Sequence, residues 1–427
     1  MLKKYFYQKL FRYISHYCTA ENSLLEYAPK NSIIETLFKG KYEKISNIND
    51  SKKINSDFVL INGNLHYEDD IQKFFSSLHS KMNSNARVAI IYYNSLWWPI
   101  FKLADKLGIR STTPEQNWIS HEDVANFLIL EDYELIRVEQ RILLPLYIPF
   151  LSNFLNRYLA PLPFFRNFTV LNIAIARPIF KQETKQPKPS VSIVVAARNE
   201  AGNIFDIPKR IPKMGPNDEL ILVEGNSTDN TWATILELKK VYKGHLKIQT
   251  AQQDGKGKGD AVRKGFAMAK NEILMILDAD LTVPPEDLPK FYTAIASGKG
   301  EFINGSRLVY PMEKKAMRFF NRVGNKFFAV SFSFVLGQRF KDTLCGTKVI
   351  SKSNYAMLAK NRGYFGEFDP FGDFDLIFGA SRMGLKIIEV PISYKERTYG
   401  ETNISRWKHG VILLTMLLFA ARKTKFI

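Results

Sequence analysis

The stretch Glu272-Ile-Leu-Met-Ile-Leu-Asp278-Ala-Asp280-Leu-Thr282-Val-Pro284-Pro285-Glu286 decides the fold class. Its apolar run has the length and composition of a strand covered on both faces, and the paired prolines end it abruptly. Two aspartates one residue apart therefore leave the C-terminal end of a buried parallel strand. There they can hold a hard divalent cation and, through it, the diphosphate of a nucleotide. Asp-x-Asp pairs also occur in solvated turns, and it is the position after this run that selects the cation-binding reading.

Around this strand, Val191-Ser-Ile-Val-Val-Ala196, Glu219-Leu-Ile-Leu-Val223, Leu246-Lys-Ile-Gln249 and Phe302-Ile-Asn304 alternate with helical patterns. The alternation predicts an α/β domain with a parallel sheet and a ligand site at its carboxyl edge. Upstream, the polar segment around Pro187 and Pro189 reads as a linker. The expected organisation is a domain at 1–178, a linker at 179–189, a second domain at 190–405 and a basic, apolar terminal helix at 406–427.

Chemistry-bearing residues gather at the predicted strand ends. The first strand ends in Ala196-Ala197-Arg198-Asn199-Glu200 and the second in Glu224-Gly-Asn-Ser227-Thr-Asp229. These clusters suit hydrogen bonds to a ribose and a base edge, or turn and cap chemistry. The glycine-rich basic loop Asp254-Gly-Lys256-Gly-Lys258-Gly259-Asp260, with Arg263 in the helix it opens, suits phosphate or ribose contact. It matches neither the Walker nor the dinucleotide-fold glycine pattern. Asp373-Phe-Asp375 suits either a general base or the cap of the helix from Leu376 to Arg382.

The order of these motifs, continued by Gly305-Ser306-Arg307, Cys345-Gly346-Thr347-Lys348 and Arg397-Thr-Tyr-Gly400-Glu401-Thr402, resembles the family-2 glycosyltransferases. The resemblance is specifically to the branch of dolichyl- and polyprenyl-phosphate sugar transferases, over about residues 190–427. The resemblance implies a GT-A (nucleotide-diphospho-sugar transferase) fold and inverting transfer from a nucleotide-sugar donor to a lipid-linked phosphate acceptor. It also implies Mg²⁺ or Mn²⁺ as cofactor, held by Asp278 and Asp280. Donor contacts would fall to Ala197, Arg198, Asn199, Glu200, Glu224, Ser227, Asp229, Lys256, Gly259, Arg263 and Ala279. The catalytic group would be Asp280, Arg307, Asp373, Asp375 and Arg397. Two departures stand out: Glu224-Gly225 replaces a pair of aspartates, and Thr282 replaces a metal-contacting glutamine.

The N-terminal region offers strands at Ser23–Glu26, Phe58–Ile61 and Arg87–Tyr92 and a helix from Ile71 to Lys81. It resembles a Rossmann-like class I methyltransferase domain. The cofactor turn after the first strand, Tyr27-Ala28-Pro29-Lys30-Asn31, lacks glycine and carries a proline, so the expectation is a noncatalytic domain. Rival readings are transfer to a glycan hydroxyl and a bifunctional methyltransferase–glycosyltransferase.

Over 427 residues the net charge is +18, of which +6 lies in residues 1–189 and +12 in the remainder. No zinc-finger, basic-zipper or ribonucleoprotein motif accompanies it, so an anionic membrane surface or a phosphorylated ligand is expected and nucleic acid is not. Two cysteines are too few for a disulfide framework. No segment has the roughly 20 apolar residues of a membrane span, while Val411–Ala421, flanked by Arg406, Trp407, Lys408 and Arg422, suits a membrane interface or a packed terminal helix. The expected setting is cytoplasmic, peripheral on the inner face of the cytoplasmic membrane.

Overall fold

The computed structural model describes residues 2–29, 33–108, 117–180, 188–307, 319–364, 372, 374–395, 397, 399 and 406–427. The chain divides into two compact units, Met1–Lys181 with Arg422–Ile427, and Gln182–Ala421.

Seven strands lie in the second sheet by chain order and six in the first. The N-terminal unit holds β1 (Ser23–Tyr27), β2 (Lys41–Ile45), β3 (Phe58–Asn62), β4 (Arg87–Tyr93), β5 (Tyr133–Arg141) and β6 (Leu171–Pro178). The C-terminal unit holds β7 (Val191–Ala197), β8 (Glu219–Glu224), β9 (Lys247–Gln252), β10 (Ile273–Ile276), β11 (Phe302–Ser306), β12 (Lys348–Ser351) and β13 (Ile387–Pro391).

In the C-terminal unit the strand order is β13-β11-β12-β10-β7-β8-β9. β10 is buried at every position because β7 and β12 flank it, with Met275 opposite Ile193 on one side and Val349 on the other. Alternation along β7 sends Ile193 and Val195 into a core with Ile235, Leu238, Leu288 and Phe291 of the covering helices. Val194 faces the opposite side, where Gly265 of the helix Lys258–Met268 meets it so closely that a Cβ at Gly265 would overlap the valine methyl. The sheet differs from the parallel one expected, since β12 runs antiparallel to both neighbours. This mixed α/β architecture agrees with the GT-A fold.

The N-terminal sheet has the order β2-β1-β3-β4-β6-β5, with β6 antiparallel to β4 and β5. Its two faces are sorted by the alternation of β4. Val88, Ile90 and Tyr92 join a core with Phe74, Phe75, Val124 and Leu128, and Ala89 and Ile91 join a second with Leu10, Tyr13 and Ile14 of the helix Leu2–Tyr17. Ile427 is buried in this second core, and Arg141 donates through Nη1 to the Lys425 carbonyl at 2.6 Å.

The terminal helix Arg406–Ala420 packs on the helix Phe319–Leu336. Leu413, Met416 and Leu417 are buried, whereas Val411, Leu414 and Leu418 are exposed. Among the described residues no helix is long and apolar enough to cross a membrane. Cys18 and Cys345 are both free thiols, buried in separate units.

Candidate active site

The carboxyl edge of the C-terminal sheet gathers most of the residues singled out above. After β10, Leu277 still donates its N–H to the Val194 carbonyl at 3.0 Å, so the chain leaves the sheet only at Asp278. A turn follows, with Leu281 at φ 54°. It is fixed by Asp280 Oδ1, which accepts from the Thr282 N–H at 3.1 Å and hydroxyl at 2.8 Å. Thr282 therefore serves the turn itself.

Each aspartate faces a cation. Lys258 Nζ lies 2.7 Å from Asp278 Oδ1, and Arg397 Nη2 lies 2.7 Å from Asp280 Oδ2. Burial would raise the Asp278 carboxyl, but the Lys258 ammonium, with Lys348 and Arg307 behind it, holds it below the ordinary carboxylate range. Gly346 backs this pair, and a Cβ there would overlap Asp278 Oδ2 and crowd Lys258 Nζ.

Arg397 also reaches Glu200, with Nη1 to Oε1 at 3.3 Å. Glu200 is buried after β7 and accepts from Asn203 Nδ2 at 2.8 Å. Burial lifts its carboxyl to about 7 against the opposing pull of Arg397 and Asn203. The segment bearing Arg397 is held by the Lys395 N–H, which donates to the Thr282 carbonyl at 3.0 Å. Tyr399 lies against Gly202, where a Cβ would collide with its ring.

The β7 and β8 ends are sewn together. Asn199, at φ 57°, donates its N–H to Ser227 Oγ at 3.0 Å and accepts from the Thr228 N–H at 2.8 Å. Asp229 accepts from the Thr231 N–H at 3.0 Å, and its other oxygen takes the Ala201 N–H at 3.4 Å. Glu224 is buried, accepting from the Ser227 N–H and from Gln252 Nε2 at 3.1 Å. In this structure one of its oxygens serves its own loop and the other the end of β9. Arg198 is exposed, while the side chains of Ala197 and Ala279 lie in the core, so any ligand contact of theirs falls to the backbone.

The basic loop separates into two roles. Lys256 is exposed, and Gly259 packs against Gly372, at φ 70°, so closely that either Cβ would press on the other backbone. Gly259, Arg263, Tyr355, Arg362 and Asp375 line one small pocket. Asp375 sits in the first turn of the helix Phe374–Arg382 and is paired with Arg362 Nε at 2.7 Å. Asp373 lies outside the described residues.

Arg307 is held bidentately by the fully buried Asp342, Nε to Oδ2 at 2.6 Å and Nη2 to Oδ1 at 2.9 Å, and lies over the Tyr394 ring at 5.2 Å. The sequence reading did not single out Asp342 or Arg362, and it named Lys258 and Gly346 only as members of motifs, without these roles. Lys258 had a local signal, a second lysine in Gly-Lys-Gly-Lys-Gly; Asp342, 35 residues from its partner, had none.

No cluster of three or more histidine, cysteine or acidic side chains suited to a metal is present among the described residues. Two carboxylates do fit a hard cation that completes its shell with waters and substrate phosphate oxygens. The missing Cβ at position 346 lets the Asp278 carboxylate and the Lys258 ammonium lie against that backbone.

Residues 192–356 match the family Glycosyl transferase family 2, a span that ends before Asp375 and Arg397. The chain is 28% identical over 220 residues to the dolichol-phosphate mannosyltransferase of Pyrococcus furiosus, covering 50% of this chain and 59% of that protein. It is 25% identical over 235 residues to the undecaprenyl-phosphate 4-deoxy-4-formamido-L-arabinose transferase of Edwardsiella ictaluri, covering 54% and 66%. It thus spans about three fifths to two thirds of those relatives' lengths. Among solved structures, the glucosyl-3-phosphoglycerate synthase of Mycobacterium tuberculosis aligns with a TM-score of 0.39 at 17% identity, covering 55% of this chain and 80% of that one. The C-terminal unit thus carries a glycosyltransferase domain of family 2.

Proposed function

We propose that the C-terminal unit moves a sugar, with inversion, from a nucleotide-sugar to the phosphate of a polyprenyl-type lipid at the inner face of the cytoplasmic membrane. The observation that carries this reading is Arg397, whose guanidinium spans Glu200 and Asp280. One cation then joins the end of the site suited to a nucleoside to the end suited to its diphosphate.

Mg²⁺ or Mn²⁺ at Asp278 and Asp280 would neutralise charge growing on the departing diphosphate. Lys258 and Arg397, which neutralise these carboxylates here, would then be able to face phosphate oxygens. Arg307 is aligned by its bidentate pair with Asp342. A phosphate acceptor arrives largely ionised and needs no strong base, whereas a sugar hydroxyl needs one. Of the two candidate bases, Asp375 is engaged by Arg362. The names of the Pyrococcus and Edwardsiella relatives, which carry dolichol phosphate and undecaprenyl phosphate, support the same acceptor class.

The N-terminal unit, on this reading, is a methyltransferase-like domain without catalysis. Its support is the turn after β1, where Ala28 adopts φ 41°, donates to the Ile45 carbonyl and accepts from Asn64 Nδ2. Both backbone groups of Ala28 are thus already engaged within the unit. Micromolar binding of S-adenosylmethionine to the full chain by calorimetry would favour the bifunctional reading.

Transfer assays with a short polyprenyl phosphate and with a soluble oligosaccharide, with and without Mn²⁺, test the main reading. Arg397→Ala should lower transfer to the lipid phosphate by about two orders of magnitude or more, as expected for loss of a positioned cation. Asp280→Asn should abolish it, and Asp375→Asn should be tolerated. Strong transfer to the oligosaccharide, lost in Asp375→Asn by about two to four orders of magnitude and kept in Arg397→Ala, would replace the phosphate by a hydroxyl acceptor.

A further inference from the structure

The N-terminal unit carries a surface that neither the transfer reaction nor its core explains. Between β5 and β6 the chain runs Ile142-Leu-Leu-Pro-Leu-Tyr-Ile-Pro-Phe-Leu-Ser-Asn-Phe-Leu-Asn-Arg-Tyr-Leu-Ala-Pro-Leu-Pro-Phe-Phe-Arg-Asn-Phe-Thr-Val170, with four prolines and only short helical turns. Much of it faces outward: Tyr147, Phe150, Phe154, Tyr158, Phe164 and Phe168 are all exposed, Phe150 at 91%. Phe150 holds φ 60°, a left-handed conformation unfavourable for a bulky side chain, at the start of a helical turn.

Two neighbours extend the surface. Trp97 Nε1 donates to the Phe168 carbonyl at 3.0 Å and leads into the helix Trp98–Lys106, which exposes Trp98, Ile100 and Leu103. Tyr5 of the helix Leu2–Tyr17 packs on Tyr147 with ring centroids 5.2 Å apart and accepts from Asn156 Nδ2 at 3.2 Å. So many exposed aromatic and aliphatic side chains on segments that touch one another are not ordinary for a protein facing water alone.

Its charges are predominantly positive. Residues 2–17 and 142–170 contain six lysines and arginines and no aspartate or glutamate, and the helix Trp98–Lys106 adds Lys102 and Lys106 against Asp105. The cations sit beside aromatic rings: Lys9 lies over Tyr5 at 5.6 Å, Lys102 over Trp98 at 5.0 Å and Arg157 over Tyr158 at 5.5 Å. Apolar bodies with tyrosine, tryptophan and basic heads at their rim match the boundary between headgroups and acyl chains.

We propose that this face of the N-terminal unit seats on an anionic lipid bilayer, with Phe150, Phe154 and Phe164 inserted at the acyl boundary and Lys102 and Arg166 on the headgroups. Electrostatic attraction brings the face to the surface and apolar burial retains it. The noncatalytic unit is then a membrane anchor. The proposal does not rest on the transfer reaction.

Flotation of the full chain with vesicles of phosphatidylcholine, alone or with one-third phosphatidylglycerol, tests it. The unaltered chain should float with the anionic vesicles and remain largely unbound with the neutral ones. Phe150→Ser/Phe154→Ser/Phe164→Ser should weaken partitioning about thirtyfold or more, since three apolar insertions are lost. Its thermal unfolding should be unchanged, and Phe150→Ser alone gives the same direction should the triple variant misfold. Lys102→Gln/Arg166→Gln should weaken binding to the anionic vesicles about thirtyfold and flatten its salt dependence. Asp280→Asn should bind as the unaltered chain does, which separates this proposal from the catalytic one. Unaltered flotation of the triple variant, or flotation abolished only by Leu414→Ser/Leu418→Ser in the terminal helix, would overturn it. So would a self-associated chain that leaves vesicles unbound and becomes monomeric in the triple variant, which would assign the face to a second copy.

Discussion

Glu200 shows how a single buried carboxyl can be poised against stability. Its folded-state value near 7 lies above the ordinary 4.5, chiefly because burial penalises the charged form. A raised acid contributes its stability below pH 4.5 and loses it as the pH rises through 7. Glu200→Gln removes the buried charge while keeping an oxygen for Asn203. The variant should therefore be more stable than the unaltered chain at pH 8, by about 1–3 kcal/mol, and indistinguishable from it at pH 5. Denaturant unfolding at the two pH values measures this. Transfer should fall in the same variant, because Arg397 loses one of its two carboxylates. A residue that destabilises its own fold and is needed for transfer is what a binding site held ready for a ligand requires.

At the scale of elements, the legible parts were those with local signals. β7, β8, β10 and β11 are short apolar runs ended by polar clusters, and each was readable within a residue or two. β2 was not, because Lys41–Ile45 is an edge strand with no buried position. β12 was missed because it has four residues and begins with Lys348, a lysine buried with its ammonium on the Cys345 carbonyl. The consequence is specific to the site: β12 is the antiparallel strand that places Gly346 behind Asp278. The sequence motif Cys345-Gly346-Thr347 was visible, but the reason for its glycine needed the fold. Gly346→Ala would push a methyl group into Asp278 and Lys258. It should lower transfer by about a hundredfold or more, as displacement of positioned charged groups does. Thermal unfolding should shift by only about 2–8 °C, in the range of one ordinary destabilising substitution. Full activity in this variant would remove the glycine from the catalytic geometry.

At the scale of the whole chain, the two units are covalently threaded twice, through the segment around residue 181 and through the tail Arg422–Ile427 that returns to the N-terminal unit. The tail is fastened by arginines acting on main-chain oxygens. Arg141 takes the Thr424 and Lys425 carbonyls, and Arg157 Nε takes that of Phe426 at 2.9 Å. Arg141 can do this only because Glu139 shares its buried site, accepting from Arg141 Nε and from the Tyr17 hydroxyl, each at 2.8 Å. Burial alone would raise the Glu139 carboxyl, but Arg141, Lys425 and Arg137 together hold it below its ordinary 4.5. The depressed acid contributes stability above pH 4.5 that is lost as the pH falls towards its folded value. Arg141→Met removes the clamp and leaves Glu139 buried with less compensation, which should destabilise the chain by about 3–5 kcal/mol near neutrality. The pH dependence should also change. With its principal partner gone, the Glu139 carboxyl should titrate higher than in the unaltered chain, so the deficit should shrink as the pH is lowered to 5. Denaturant unfolding between pH 5 and 8 reads both effects. A deficit that is constant across that range would mean that Arg141 acts through packing and tail contacts, and that the buried pair contributes nothing to fastening the tail.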